Sequence, residues 1–130
     1  MLKITKKIEY ALIAMRHINN SDKLCSSKEI STFYNIPHEI MAKTLQKLSK
    51  VKYVKAIKGS QGGYYLNNSI HKINLVDFIE TIEGPISIVK CSTDDTCDLI
   101  EYCNIKSPIN KINSNIKNML SKISLQDIAN

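Results

Sequence analysis

Residues 26–66, SSKEISTFYNIPHEIMAKTLQKLSKVKYVKAIKGSQGGYYL, decide the fold. Ser26 followed by Glu29 has the spacing of a capping box, in which hydroxyl and carboxylate satisfy the first unpaired N–H groups of a helix. A short helix therefore begins here and is expected to carry Ile30 and Phe33 inward. Tyr34-Asn35-Ile36-Pro37 reads as a turn, and Pro37 suits the first turn of the next helix because its missing N–H would be unpaired there anyway. That next helix, about 38–50, sorts its residues at 100° per step. Ile40, Met41, Thr44, Leu45, Leu48 and Val51 gather on one side; Glu39, Ala42, Lys43, Gln46 and Lys50 fall on the other, with His38 and Lys47 at the margins. Such a polar side can reach base edges and phosphates, although a merely solvated face has the same composition. Residues 53–58 and 64–66 read as two short strands joined across Gly59-Ser60-Gln61-Gly62-Gly63, where Gly62-Gly63 permit positive φ as the hairpin folds back. Helix, turn, helix and basic hairpin make a winged helix, in which the third helix enters the major groove and the hairpin lies on the backbone or minor groove.

Working outward, Ile8, Ala11, Leu12, Met15 and Ile18 have amphipathic spacing, so a first helix runs to about Asn19, where Asn19-Asn20-Ser21-Asp22 breaks it. Residues 75–82 predict a fourth helix, stopped by Gly84-Pro85. Beyond it, Ile105, Ile109, Ile112, Ile116, Met119 and Ile123 step by four, three, four, three and four on a helix otherwise rich in Asn, Lys and Ser. A single apolar stripe on a polar helix calls for a partner, most commonly its own symmetry mate, with packing onto its own domain as the alternative. The tail around Leu125-Gln126-Asp127-Ile128 is expected to fold back on that stripe or on the first helix. The expected class is mainly α with a small β-hairpin wing, a winged helix-turn-helix plus a long C-terminal dimerisation helix. It divides into a DNA-binding part (1–84), a cysteine-containing segment (85–104) and a dimerisation helix with tail (105–130), packed as one compact unit.

At 130 residues and 43% hydrophobic composition, the chain has the size of one domain with one core. Residues 1–72 hold thirteen Lys and Arg against four acids, a net of +9; residues 73–130 hold five against eight, a net of −3; together they give the overall +6. The asymmetry points to a basic face for a polyanion, with an inert basic surface as the plainer alternative. The DNA-contacting candidates are Ser27, Lys28, His38, Glu39, Lys43, Thr44, Gln46, Lys47, Lys50, Lys58, Ser60 and Gln61. No stretch approaches the roughly 20 apolar residues of a membrane span, and no secretory leader is evident, so a cytoplasmic protein without a membrane partner is expected. No Ser-His-Asp set, phosphate loop or paired-carboxylate pattern suggests catalysis.

Cys91, Cys97 and Cys103 are each separated by five residues within an acidic stretch. Thiolates bind soft metals, and three of them can surround an iron-sulfur cluster or an ion. Zinc, a disulfide switch and inert thiols compete with that reading. Structural zinc usually shows shorter gaps and a fourth Cys or His, and the neighbouring Asp94, Asp95, Asp98 and Glu101 disfavour thiolate nucleophiles. Cys25 reads as a small buried residue, and His17, His38 and His71 are too scattered in sequence to make a metal site by spacing.

These residues together give a resemblance. Ile8-Glu9-Tyr10-Ala11-Leu12, the stretch from Ile36-Pro37 to Leu48, the tip Gly59-Ser60-Gln61-Gly62-Gly63-Tyr64 and the three evenly spaced cysteines resemble the winged-helix iron-sulfur transcription regulators typified by IscR and NsrR, nearly end to end. The resemblance implies a homodimer with crossing C-terminal helices and a palindromic double-stranded operator. It also implies a 2Fe-2S or 4Fe-4S cluster on Cys91, Cys97 and Cys103 that responds to iron, redox state or nitric oxide. The histidine that IscR-like members place three residues after the last cysteine is Lys106 here, and a histidine used by some two-iron members falls at Ile13. The acidic ligand that NsrR-like members take from the first helix of the partner matches Glu9, so the resemblance makes the partner subunit's Glu9 the fourth ligand. A metal-independent or thiol-switch repressor, and a cluster-carrying protein without DNA function, are the alternatives.

Overall fold

The computed structural model describes residues 4–67, 70–86 and 104–129. Six α-helices are formed by these residues: α1 (Lys6–Asn19), α2 (Ser27–Tyr34), α3 (His38–Lys50), α4 (Leu75–Glu83), α5 (Lys106–Ser121) and α6 (Leu125–Ala129). Two strands, β1 (Val54–Ile57) and β2 (Gly63–Leu66), and a 3₁₀ turn (Ile70–Lys72) complete the order. Three helices start on side-chain caps that the local sequence supplies: Thr5, Ser26 and Asn74 accept from the N–H groups of Ile8, Glu29 and Asp77. Each such cap contributes about 1 kcal/mol by satisfying a donor that the helix leaves open. The turn between α2 and α3 depends on Asn35 in the left-handed region (φ 54°, ψ 45°), a conformation Asn tolerates. Pro37 occupies the N-cap of α3, one position before the helical turn in which it was expected.

One apolar core joins the first four helices, β1 and α6. Ile8, Ala11, Ala14, Met15 and Ile18 of α1 meet Ile30 of α2, Met41, Leu45 and Leu48 of α3, Val54 of β1, Phe78 of α4 and Leu125 of α6, all buried. The hairpin is antiparallel, with Val54 opposite Leu66 and Ile57 opposite Gly63. It is held to the core twice. Tyr53 stacks on Phe78 at 5.7 Å and its hydroxyl donates to Thr81 Oγ1, while the N–H and C=O of Cys25 pair with Tyr64 in β2. At the other end, the N–H of Leu75 donates to Ile123 O and that of Leu125 to Ile73 O, which pins α6 beside the start of α4. The tail thus folds back on α1, the second of its two expected positions. Among the described residues, no helix is long and apolar enough to cross a membrane.

Two expected inward residues point outward. Phe33 is 72% exposed. The buried face of α2 runs through Ile30 and Ser31 instead, the small serine closing its hydroxyl on Lys28 O, and Phe33 joins a surface aromatic group with Tyr34 and His17. Ile40 is 43% exposed because, in the first turn of α3, it lines an open cleft with Lys7 and Ala11 of α1 and Ile82 of α4. The fold predicts that Phe78→Ala lowers unfolding stability by about 3–5 kcal/mol through the cavity it leaves. Ile112→Ala, at an exposed position of α5, stays within about 0.5 kcal/mol in the isolated chain. Denaturant midpoints at matched slope measure both.

Candidate nucleic-acid interface

Because Met41, Leu45 and Leu48 are committed to the core, the opposite face of α3 is fixed outward. Along it run Glu39, Lys43, Gln46 and Lys50, at steps of four, three and four, all exposed. Exposed His38 and Lys47 flank this stripe, as the helical sorting requires. The Glu39 carboxylate lies 3.6 Å from Lys43 Nζ, an exposed i,i+4 pair that competing phosphate oxygens can replace. Thr44 differs from its neighbours: it is half-buried and its hydroxyl donates to Ile40 O at 2.8 Å. Ser27 and His38 are brought together from separate helices, with Ser27 Oγ 3.2 Å from His38 Nε2, so the starts of α2 and α3 adjoin. Lys28 is exposed on the first turn of α2.

The hairpin tip presents Lys58, Ser60 and Gln61, all exposed, and Lys55 is exposed on β1. Its shape depends on two glycines in different ways. Gly59 takes φ 118°, which a side chain would resist, whereas of the expected pair Gly62-Gly63 only Gly63 has positive φ, at 159°. A Cβ on Gly62 would lie 2.0 Å from Ile57 O, so no side chain fits there while the strands stay paired. Sequence reasoning missed Lys7, which lines a cleft between α1, α3 and α4 with Ile40, Lys43, Lys47 and Ile82. Its position on the polar side of α1 gave no signal, because only the packing angle of α1 on α3 brings it to these lysines.

Of the expected metal ligands, Cys91, Cys97 and Cys103 lie outside the described residues. Glu9 is exposed on the first turn of α1, with its carboxylate 3.1 Å from Lys6 Nζ. Hydrogen bonding to Glu9 and its charge hold the Lys6 ammonium above the ordinary lysine pKa. Glu9 shares its helix with Ile8 and Ala11, which pack into the core that carries α3.

The stripe on α5 is not one seam but two. Ile109 and Ile116 are half-buried on the side where Lys117 pairs with Glu80 of α4 at 3.4 Å. Ile105, Ile112 and Met119, seven residues apart, remain 56%, 47% and 61% exposed. Ile105 is the N-cap of α5 and Ile123 follows its end, so neither stands within the helix as the spacing had suggested; Ile123 instead gives its carbonyl to Leu75.

The family model Rrf2, described as an iron-dependent transcriptional regulator, matches residues 4–130. The chain is 30% identical to the HTH-type transcriptional regulator NsrR of Bacillus licheniformis over 131 residues, covering 98% of this chain and 92% of that protein. Among solved structures, CymR (YrzC), the global cysteine regulator of B. subtilis, is similar with a TM-score of 0.74 and 28% identity, over 99% of this chain and 97% of the other. IscR of T. potens is similar with a TM-score of 0.70 and 25% identity, over 98% and 85%.

Proposed function

The chain belongs to the Rrf2 family, so it is a transcriptional regulator and not an enzyme, and from that premise we propose that it binds a palindromic operator as a homodimer tuned by an iron-sulfur cluster. The observation that carries the DNA reading is the outward stripe of α3, Glu39, Lys43, Gln46 and Lys50, displayed by a helix whose other face is locked in the core. In the major groove, Glu39, Lys43 and Gln46 meet base edges. Lys47, Lys50, Lys55 and Lys58 neutralise phosphates, and Ser27, Lys28, His38, Thr44, Ser60 and Gln61 complete the contact surface. The exposed seam Ile105, Ile112 and Met119 supports pairing of two α5 helices, since a seven-residue apolar repeat buries itself best against a copy. Pairing sets the spacing of the two α3 helices, which a two-fold operator demands.

Cys91, Cys97 and Cys103, with the partner subunit's Glu9, supply three thiolates and one carboxylate, a donor set that fits an iron-sulfur cluster, either 2Fe-2S or 4Fe-4S. When bound, such a group supplies reactivity toward electrons, oxygen and nitric oxide. The chain's own part is to transmit a change at Glu9. Its carboxylate leaves or rejoins Lys6, and α1 carries the displacement through Ile8 and Ala11 to the core beneath α3. Similarity to CymR, a cysteine regulator, supports a second reading, a thiol-switch or metal-independent repressor that uses the same α3 face and wing.

Titration of a duplex from the protein's own promoter region against salt tests the DNA reading. Lys47→Gln with Lys50→Gln lowers the log-log slope by about 1.8, at roughly 0.9 per phosphate contact; an unchanged slope removes these lysines from the interface. Ile112→Asp gives a monomer by sedimentation and loses operator affinity, whereas a variant that stays dimeric excludes the α5 seam. Anaerobic purification yields a coloured protein that Cys97→Ala renders colourless. A colourless wild type with full operator binding overturns the cluster and leaves the second reading.

A further inference from the structure

Away from the α3 face and from the three evenly spaced cysteines, His17, Cys25 and Glu29 converge from three parts of the chain. A ring nitrogen of His17, the Cys25 sulfur and a Glu29 carboxylate oxygen all lie within 4.8 Å of one another. We propose that these three residues form a second metal site, distinct from the cluster ligands, which takes a borderline divalent ion of the zinc class with water as a fourth donor.

The chemistry of the donors supports that class. Thiolate, imidazole and carboxylate together are a set that zinc accepts, and ions preferring all-oxygen shells do not. At zinc bond lengths of about 2.0–2.3 Å, tetrahedral ligand atoms stand roughly 3.3–3.8 Å apart, so the three atoms need to close by about 1 Å. Side chains can supply that movement. Glu29 is half-exposed, and its carboxylate lies 3.9 Å from Lys23 Nζ, an exposed cation that an ion displaces. His17 is half-buried, and the Tyr34 hydroxyl 3.0 Å from Nδ1 fixes the plane of its ring, the kind of outer hydrogen bond that orients metal-bound imidazoles. The Cys25 sulfur is fully buried and points toward Lys23 O at 3.5 Å, so its thiol is already directed at this corner. On binding, the S–H bond breaks, a sulfur–metal bond forms, and the proton passes to solvent, so occupancy falls as pH is lowered.

The place of the site gives it a consequence. His17 belongs to the last turn of α1, Glu29 to the first turn of α2, and the Cys25 backbone pairs with Tyr64 in the wing at 3.1 and 2.8 Å. Strand β2 approaches so closely that a Cβ on Gly63 would stand 3.0 Å from the Cys25 carbonyl. An ion here ties the helix-turn-helix to the wing, and so stiffens the angle between them.

Cobalt(II) titration of the full chain carrying Cys91→Ser, Cys97→Ser and Cys103→Ser tests the site directly. The expected result is one equivalent bound with a thiolate-to-cobalt charge-transfer band. That band disappears in Cys25→Ser, and affinity falls at least tenfold in His17→Ala and in Glu29→Gln. Because His17 and Glu29 are not core residues, those two variants stay informative if Cys25→Ser perturbs folding, which circular dichroism reports. Absence of the band, its persistence in Cys25→Ser with native dichroism, or unchanged affinity in both other variants overturns the proposal. The readout needs no DNA, so its failure and failure of the operator reading are separate results.

Discussion

Burial of Met41, Leu45 and Leu48 beneath α3 is the constraint from which the rest of the molecule follows. Each of these side chains contributes about 1.5–3 kcal/mol by leaving water. Together they decide which way the helix faces: a helix is rigid, so fixing three positions on one side fixes Glu39, Lys43, Gln46 and Lys50 on the other. The same core holds Val54 at the start of β1 and Cys25 beside β2, so the wing is positioned by the packing that positions α3. A basic face assembled this way is presented whether or not DNA is near.

The C-terminal half adds a second constraint. Leu125 inserts into the core against α1, and its N–H donates to Ile73 O, so the chain must return after α5. That return holds α5 against α4 along one seam, reinforced by the Glu80–Lys117 pair, and leaves Ile105, Ile112 and Met119 exposed. An exposed heptad seam on a helix tethered at its far end is a surface that a second copy can cover without disturbing the first fold.

Most of the architecture was legible because short-range chemistry specified it. The Ser26 cap and the apolar periods of α1 and, beyond its first turn, of α3 each encode a local geometry that tertiary packing did not override. What could not be read depended on angles between elements. Phe33 has the right spacing for burial, yet Ile30 and Ser31 occupy the inward side of α2. The stripe of α5 reads as one line in sequence but divides once α4 claims one edge of it. His17, Cys25 and Glu29 look scattered because their proximity is created by the α1–α2 crossing, which no spacing rule contains. For the same reason, Lys7 gave no hint of joining Lys43 and Lys47.

The central claim is that the face of α3 opposite the core, with the wing, is where DNA sits. Lysine acetylation mapped by mass spectrometry, with and without a duplex from the protein's own promoter region, tests it most directly. Protection at Lys43, Lys47, Lys50 and Lys58, with Lys111 and Lys122 of the C-terminal half modified equally in both states, is the predicted result. Uniform protection, or protection confined to the C-terminal lysines, contradicts it.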